Sequence, residues 1–134
     1  MKNLLILSAG LFLFSCSSYG DKLTFEGTDV YYTDESLKED AQKLGEYLVE
    51  SEFADGGEKS VQLTKNEDGT RVFRMVVQEG AENGNDSMFT LFAMGISMSA
   101  FDNEPVNVEL CDNTFTTLKT IPWAFGESDT TAAE

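Results

Sequence analysis

The chain has 134 residues, a single tryptophan and no histidine, with 24 acidic residues against 9 basic ones for a net charge of −15. A charged fraction of 25% and a hydrophobic fraction of 41% are those of an ordinary globular protein, and the length suits one domain with one core. The acidic balance argues against binding nucleic acid or anionic lipid headgroups, which repel such a surface, and the lack of histidine removes the commonest general base and metal ligand.

Met1-Lys2-Asn3 carries one positive charge, and Leu4 to Phe14 is apolar apart from Ser8 and Gly10. A basic start, an apolar run of about 7–15 residues and a small residue before the cut have the form of a secretory signal peptide. The run is shorter than the roughly 20 apolar residues that a membrane-spanning helix needs. Leu13-Phe14-Ser15-Cys16 resembles the lipobox of bacterial lipoproteins, in which a leucine sits three residues before the cysteine and a small residue one before it. Leu13, Ser15 and Cys16 match that pattern, and Phe14 stands where a small residue is usual. The resemblance implies cleavage between Ser15 and Cys16, acylation of Cys16 with palmitate-type chains, and attachment to a membrane through the lipid. Two or more such chains anchor stably, where one binds only marginally. The competing reading is an ordinary secretory signal with a chance cysteine. On the lipoprotein reading, 1–15 is the signal, 16–22 the lipidated cysteine and a polar tether, 23–125 one domain, and 126–134 a polar, disordered tail. Acids are not clustered after Cys16, as they are in surface-exported lipoproteins. The expected location is therefore the cell envelope, at the outer membrane facing the periplasm.

Leu23-Thr-Phe25 and Val30-Tyr-Tyr32 are β-formers around the turn-like Glu26-Gly-Thr-Asp29. A helix follows, capped by Thr33 or Ser36, with Leu37, Ala41, Leu44 and Leu48 on one apolar stripe. Phe53 is expected to tuck its end under the sheet before Asp55-Gly-Gly57 stops it. Ser60–Lys65 and Thr70–Gln78 flank Asn66-Glu-Asp-Gly69, a strong hairpin mark, and the second of these runs is apolar enough for a central strand. A second helix runs from about Asp86 to Phe101 with two apolar stripes: Phe89, Phe92, Ala93, Ile96 and Ala100 on one side, Leu91, Met94, Met98 and Phe101 on the other. Such a helix is normally buried. Val106–Leu110 and Phe115–Ile121 complete the strands. The expected fold is α+β: an antiparallel sheet with two helices on one face, built on a ferredoxin-like β-α-β-β-α-β core with an extra edge strand. The repetition of a strand pair followed by a helix also allows a faint internal duplication. Val30-Tyr-Tyr-Thr33, Leu44-x-x-Tyr-Leu48, Val61-Gln-Leu63, Arg74-x-Val-Val77, Leu110-Cys-Asp112 and Leu118-Lys-Thr120 resemble stretches of small lipoproteins of diderm bacteria, a resemblance that implies no particular activity.

No nucleophile–base pair, phosphate-cradling loop or calcium loop is legible, so no catalytic, cofactor or metal residue is assigned and no cofactor is expected. The acids and amides of Glu79–Asp86 and Asn66–Gly69 lack the order of a calcium loop. With Cys16 acylated, Cys111 has no intramolecular partner. It reads either as a reactive thiol or as a small apolar filler. Arg74 reads either as an anion holder or as half of a cross-strand ion pair, with Glu109 as its first candidate mate. Leu91, Met94, Met98 and Phe101 form a candidate interaction surface unless the first helix or the Ile121–Phe125 segment covers them. The expected function is a non-enzymatic, membrane-anchored lipoprotein that contacts an envelope protein, with its oligomeric state open. A periplasmic ligand-binding or protease-inhibitor-type module, and a carboxylate-based envelope hydrolase, are the alternatives.

Overall fold

The computed structural model describes residues 19–125; the signal-like stretch with Ser15 and Cys16, and the tail 126–134, lie outside the described residues. Six strands are formed, β1 (Asp21–Phe25), β2 (Thr28–Tyr32), β3 (Lys59–Lys65), β4 (Arg71–Val76), β5 (Val106–Cys111) and β6 (Thr117–Ile121), with two helices, α1 (Lys38–Glu50) and α2 (Ser87–Ala100). β1 takes in Asp21 and Lys22, residues that the sequence assigns to the tether.

Local chemistry explains most boundaries. Glu26 and Gly27 both have positive φ (50° and 87°), the requirement of a two-residue hairpin turn, so β2 starts at Thr28. Asn66 and Gly69 close the β3–β4 hairpin through Asn66 N donating to Thr70 O at 2.8 Å and Gly69 N to Asn66 O at 3.0 Å. The cap before the first helix is Asp34, not Thr33 or Ser36. Its Oδ1 accepts from Ser36 N at 2.9 Å and starts a 3-10 turn over Glu35–Leu37 that feeds α1. α1 ends at Glu50, ahead of the Asp55-Gly-Gly57 stop, because Glu52 turns to φ 68°.

The strands lie side by side in sequence order, β1 to β6. Pairs β1–β2, β3–β4 and β5–β6 are antiparallel, while β2–β3 and β4–β5 are parallel and are each bridged by a helix. This is an α+β domain with a mixed sheet, and the expected antiparallel, ferredoxin-like arrangement is corrected. In that arrangement another strand splits the βαβ unit, whereas here each helix returns the chain to the adjacent strand.

Both helices pack on the same face and against each other. The two crossovers step the same way across the sheet, but the second pair of strands runs opposite to the first. Two such connections over one face have opposite hands, so one is left-handed, against a strong general preference. The two strand-pair-then-helix units are therefore mirror-related in topology. No rotation superimposes them, which removes the expected duplication.

The register aligns one apolar row, Tyr32-Leu63-Phe73-Val108-Ile121, across five strands under the helices. Leu37, Ala41, Leu44 and Leu48 of the first stripe are buried above it, with Ala93, Ile96 and Ala100 from α2. Each fully buried Leu or Phe contributes about 1.5–3 kcal/mol through apolar area removed from water. Arg71 ties the layers together. Its Nε donates to Asp40 of α1 at 2.8 Å and its Nη1 to Glu104 at 2.6 Å, and its guanidinium lies over the Phe101 ring. Phe101 is buried and belongs to this core, not to an outer stripe.

Gly45 sits in the middle of α1, where a Cβ would run into the Phe25 ring. Glycine there lets the helix lie flat on the edge of the sheet. Gly45→Ala gains about 1 kcal/mol of helix propensity and loses about 1–3 kcal/mol to overpacking. Urea denaturation of the variant is expected to show a lower midpoint at unchanged slope, a net loss of about 1 kcal/mol; a rise in the midpoint contradicts this packing.

Candidate functional site

The face of the sheet away from the helices carries a second row, Tyr31-Gln62-Arg74-Glu109-Thr120. Arg74 is its centre. Nε donates to Glu109 Oε1 at 2.7 Å, Nη1 to Gln62 Oε1 at 2.5 Å, and Nη2 to both Phe115 O at 2.9 Å and Thr117 Oγ1 at 2.8 Å. The side chain is only 15% exposed, so its donors are spent within the fold. Of the two sequence readings of Arg74, the cross-strand ion pair with Glu109 is the one present. An incoming anion would have to displace it.

The β5–β6 turn folds back over this cluster. Asp112 Oδ1 accepts from Thr114 Oγ1 at 2.7 Å, Thr114 N at 2.9 Å and Thr116 N at 3.0 Å, and these bonds hold its carboxyl below the usual carboxylate range. They also offset the cost of Phe115 at φ 60°, a conformation that non-glycine residues rarely adopt. The Phe115 ring meets Tyr19 and Tyr31 edge to face, at 5.0 and 6.0 Å between centroids. A cleft of about 700 Å3 opens beside these rings, with Asp29, Lys59 and Asn113 on its polar margin.

On the opposite side of the molecule α2 presents a different chemistry. No residue of Ser87–Ala100 is charged. Its inner stripe packs as expected, with Phe92 against Phe73 and Phe53, but the helix is not buried all round. Met88 is 78% exposed, Leu91 59% and Met98 63%, because among the described residues there is a single layer of helices and nothing lies outside it. Of the four residues of the outer stripe, Leu91 and Met98 are exposed, Met94 is half-buried and Phe101 is in the core. α1 runs beside α2, with the Tyr47 hydroxyl close over Gly95, and does not cover the stripe. Trp123 and Phe125 instead form the far wall of a groove of about 310 Å3, with Met94 and Met98 on the near wall. Asn107 Oδ1 accepts from Trp123 N at 2.7 Å and fixes that wall.

The profile of the AF_1994_N family N-terminal domain matches residues 22–122, from the second residue of β1 to the residue after β6. The chain belongs to the AF_1994_N family. No curated protein and no solved structure matches it. The span shared with the AF_1994_N domain contains the Arg74 cluster and all of α2, whereas Cys16, Trp123 and Phe125 lie outside it.

Cys111 faces the Arg74 side of the sheet and is fully buried, and burial pushes its thiol up from the ordinary value. It is a small filler beneath the β5–β6 turn. Among the described residues no group of three or more acids or cysteines is arranged to hold a metal ion. The 79–86 stretch holds a short 3-10 turn over Ala81–Asn83, and Lys119 reaches across to Asp86 Oδ1 at 2.6 Å. Sequence reasoning missed the Tyr19–Tyr31–Phe115 cluster, which depends on where a turn folds back and whose only local signal was an aspartate three residues before Phe115. It offered the Ile121–Phe125 segment as a cover for the outer stripe, and that segment lies beside the stripe as one wall of an open groove.

Replacing Arg74 with Ala removes the guanidinium donor from Gln62 and the Phe115 carbonyl and leaves Glu109 with only the Thr117 hydroxyl, at 3.1 Å. A loss of about 2–3 kcal/mol is expected, less than for a fully buried pair. A double-mutant cycle with Glu109→Gln should show a coupling of at least about 0.5 kcal/mol; strict additivity means that the pair is incidental. Because Cys111 is buried and protonated, a thiol reagent at mildly alkaline pH is expected to modify native protein only as fast as the protein unfolds. Rapid labelling without unfolding would make the thiol accessible and reactive.

Proposed function

We propose that the chain is a lipoprotein of the bacterial envelope that performs no catalysis. Acyl chains on Cys16 hold it at the outer membrane facing the periplasm, and it works by contacting another envelope protein. The observation that carries the contact role is the exposed apolar face of α2, uncharged in a chain of net charge −15. Apolar patches kept at a surface mark contact sites.

The geometry near the first described residue supports the anchored reading. Tyr19 comes three residues after Cys16, a span of at most about 10 Å. The Tyr19 carbonyl accepts from Gln62 Nε2 at 3.0 Å, and its ring lies against Tyr31 and Phe115. The chain therefore enters across the helix-free face of the sheet. A lipid at Cys16 would draw that face toward the bilayer and leave α2 facing the aqueous side. Among the described residues no helix is long and apolar enough to cross a membrane.

The cleft beside Tyr19, Tyr31 and Phe115 favours a second reading, a periplasmic ligand-binding module. It is the weaker one. Lys59, the cation on the margin of that cleft, is already paired with Asp55 at 2.8 Å, and Arg74, committed to four acceptors, does not line it.

Anchoring is tested with Cys16→Ser in cells fed a labelled fatty acid. The unaltered chain is expected to carry label and to fractionate with the outer membrane. The variant should carry none and keep its uncleaved size. A variant that is labelled and processed like the unaltered chain would end the lipoprotein reading.

A further inference from the structure

We propose that the partner of α2 is a cationic amphipathic segment of another protein, docked with its apolar side in the groove between Met94, Met98 and the Trp123–Phe125 wall. The inference rests on the contact role proposed for α2 and adds the chemistry of the partner.

The groove settles the apolar half. It has methionines on one wall and aromatic rings on the other, with Trp123 and Phe125 edge to face at 5.2 Å. Methionine side chains adapt to irregular apolar surfaces, and aromatic anchors dominate binding energy where they are desolvated. A groove of about 310 Å3 suits a few side chains projecting from one face of a helix.

The flanks of α2 supply the charge. The lining of the groove is itself uncharged. Asp102 is exposed two residues after the end of α2. On the α1 flank, in a separate hollow, Glu46 and Glu50 outnumber Lys43 beside Ser99. The whole molecule adds its −15. Charges of one sign around an apolar centre steer partners of the other sign and oppose like ones. A second copy of this chain would bring acid against acid at the same flanks. A bilayer is the wrong occupant too: a helix that lies in the lipid interface carries lysine and arginine on its polar face, and α2 carries no charge at all.

Trp123 is the chain's single tryptophan, so its fluorescence reports the groove without ambiguity. The full chain is placed in zwitterionic phosphatidylcholine vesicles and titrated with three tryptophan-free amphipathic peptides that share one leucine face. Their polar faces are lysine, glutamate or serine. The lysine peptide should shift the Trp123 emission to the blue and saturate. Raised salt should weaken it, and Met98→Glu should raise its dissociation constant about tenfold. Met98 is exposed, so this substitution spares the core; Glu50→Gln with Asp102→Asn should weaken the lysine peptide while leaving thermal stability unchanged. If all three peptides bind equally and Met98→Glu weakens each, the contact surface stands and the cationic partner is wrong. If none moves the Trp123 emission, the contact role of α2 falls with it. If the chain instead forms dimers that Met98→Glu dissociates, a second copy is the occupant and the proposal is overturned. Anchoring through Cys16 is read separately, from membrane fractionation, and none of these outcomes bears on it.

Discussion

Arg74 is the interaction on which the architecture depends. Two helices cover one side of the sheet, and among the described residues no helix shields the other side. There a single guanidinium gathers Glu109, Gln62, Thr117 and the Phe115 carbonyl, drawing β3, β4, β5, the β5–β6 turn and the start of β6 into one polar cluster. The turn then places Phe115 where Tyr19 and Tyr31 meet it. The planar fork of arginine suits this task, since it satisfies four acceptors in nearly one plane, which a lysine ammonium does not do. With this face closed by side chains alone, both helices are free to lie on the other.

That distribution has a geometric consequence. Helices placed on one face, with strands in sequence order and alternating direction by pairs, force one crossover to be left-handed. The helices also approach closely: Gly45 admits the Phe25 ring and Gly95 admits the Tyr47 hydroxyl. Arg71 then fixes α1 to β4 and to the segment after α2 through Asp40 and Glu104, with both bonds made by one side chain. The first of these pairs is largely shielded from solvent and the second is half in water, so the Asp40 arm contributes more per bond.

Element types were legible because each had a local signal. Helical spacing marked Leu37, Ala41, Leu44 and Leu48, the Asp-Gly turn marked β3–β4, and an arginine inside a β run of an acidic chain pointed to a cross-strand acid such as Glu109. Strand order was not legible. Whether a helix returns the chain to the neighbouring strand or beyond it is decided by packing between distant residues, such as Phe92 on Phe73 and Phe53. The sequence leaves the outer stripe of α2 open between a contact surface and a buried face, because a helix apolar all round usually has neighbours on every side. The sequence does not reveal that a domain has only one helical layer. Phe101 differs from Leu91 and Met98 for a similar reason: the chain turns at Asp102 and Asn103, both at positive φ, and folds Phe101 inward under Arg71.

The distribution of charge makes the α2 surface informative. An apolar face costs a protein solubility, and a large net charge restores it by self-repulsion. Among the described residues the acids lie on α1, on the turns and on the strands, while the fourteen residues of α2 carry none. A single exposed methionine in such a place would need no explanation. Met88, Leu91 and Met98 together, spread over about three turns of one side and flanked by a groove with a fixed aromatic wall, are different. Replacing any of them by a charged residue would remove exposed apolar area without touching the core, so stability alone does not account for them. What accounts for them is a surface that is apolar at its centre, acidic at its flanks and turned away from the face by which the chain enters the fold.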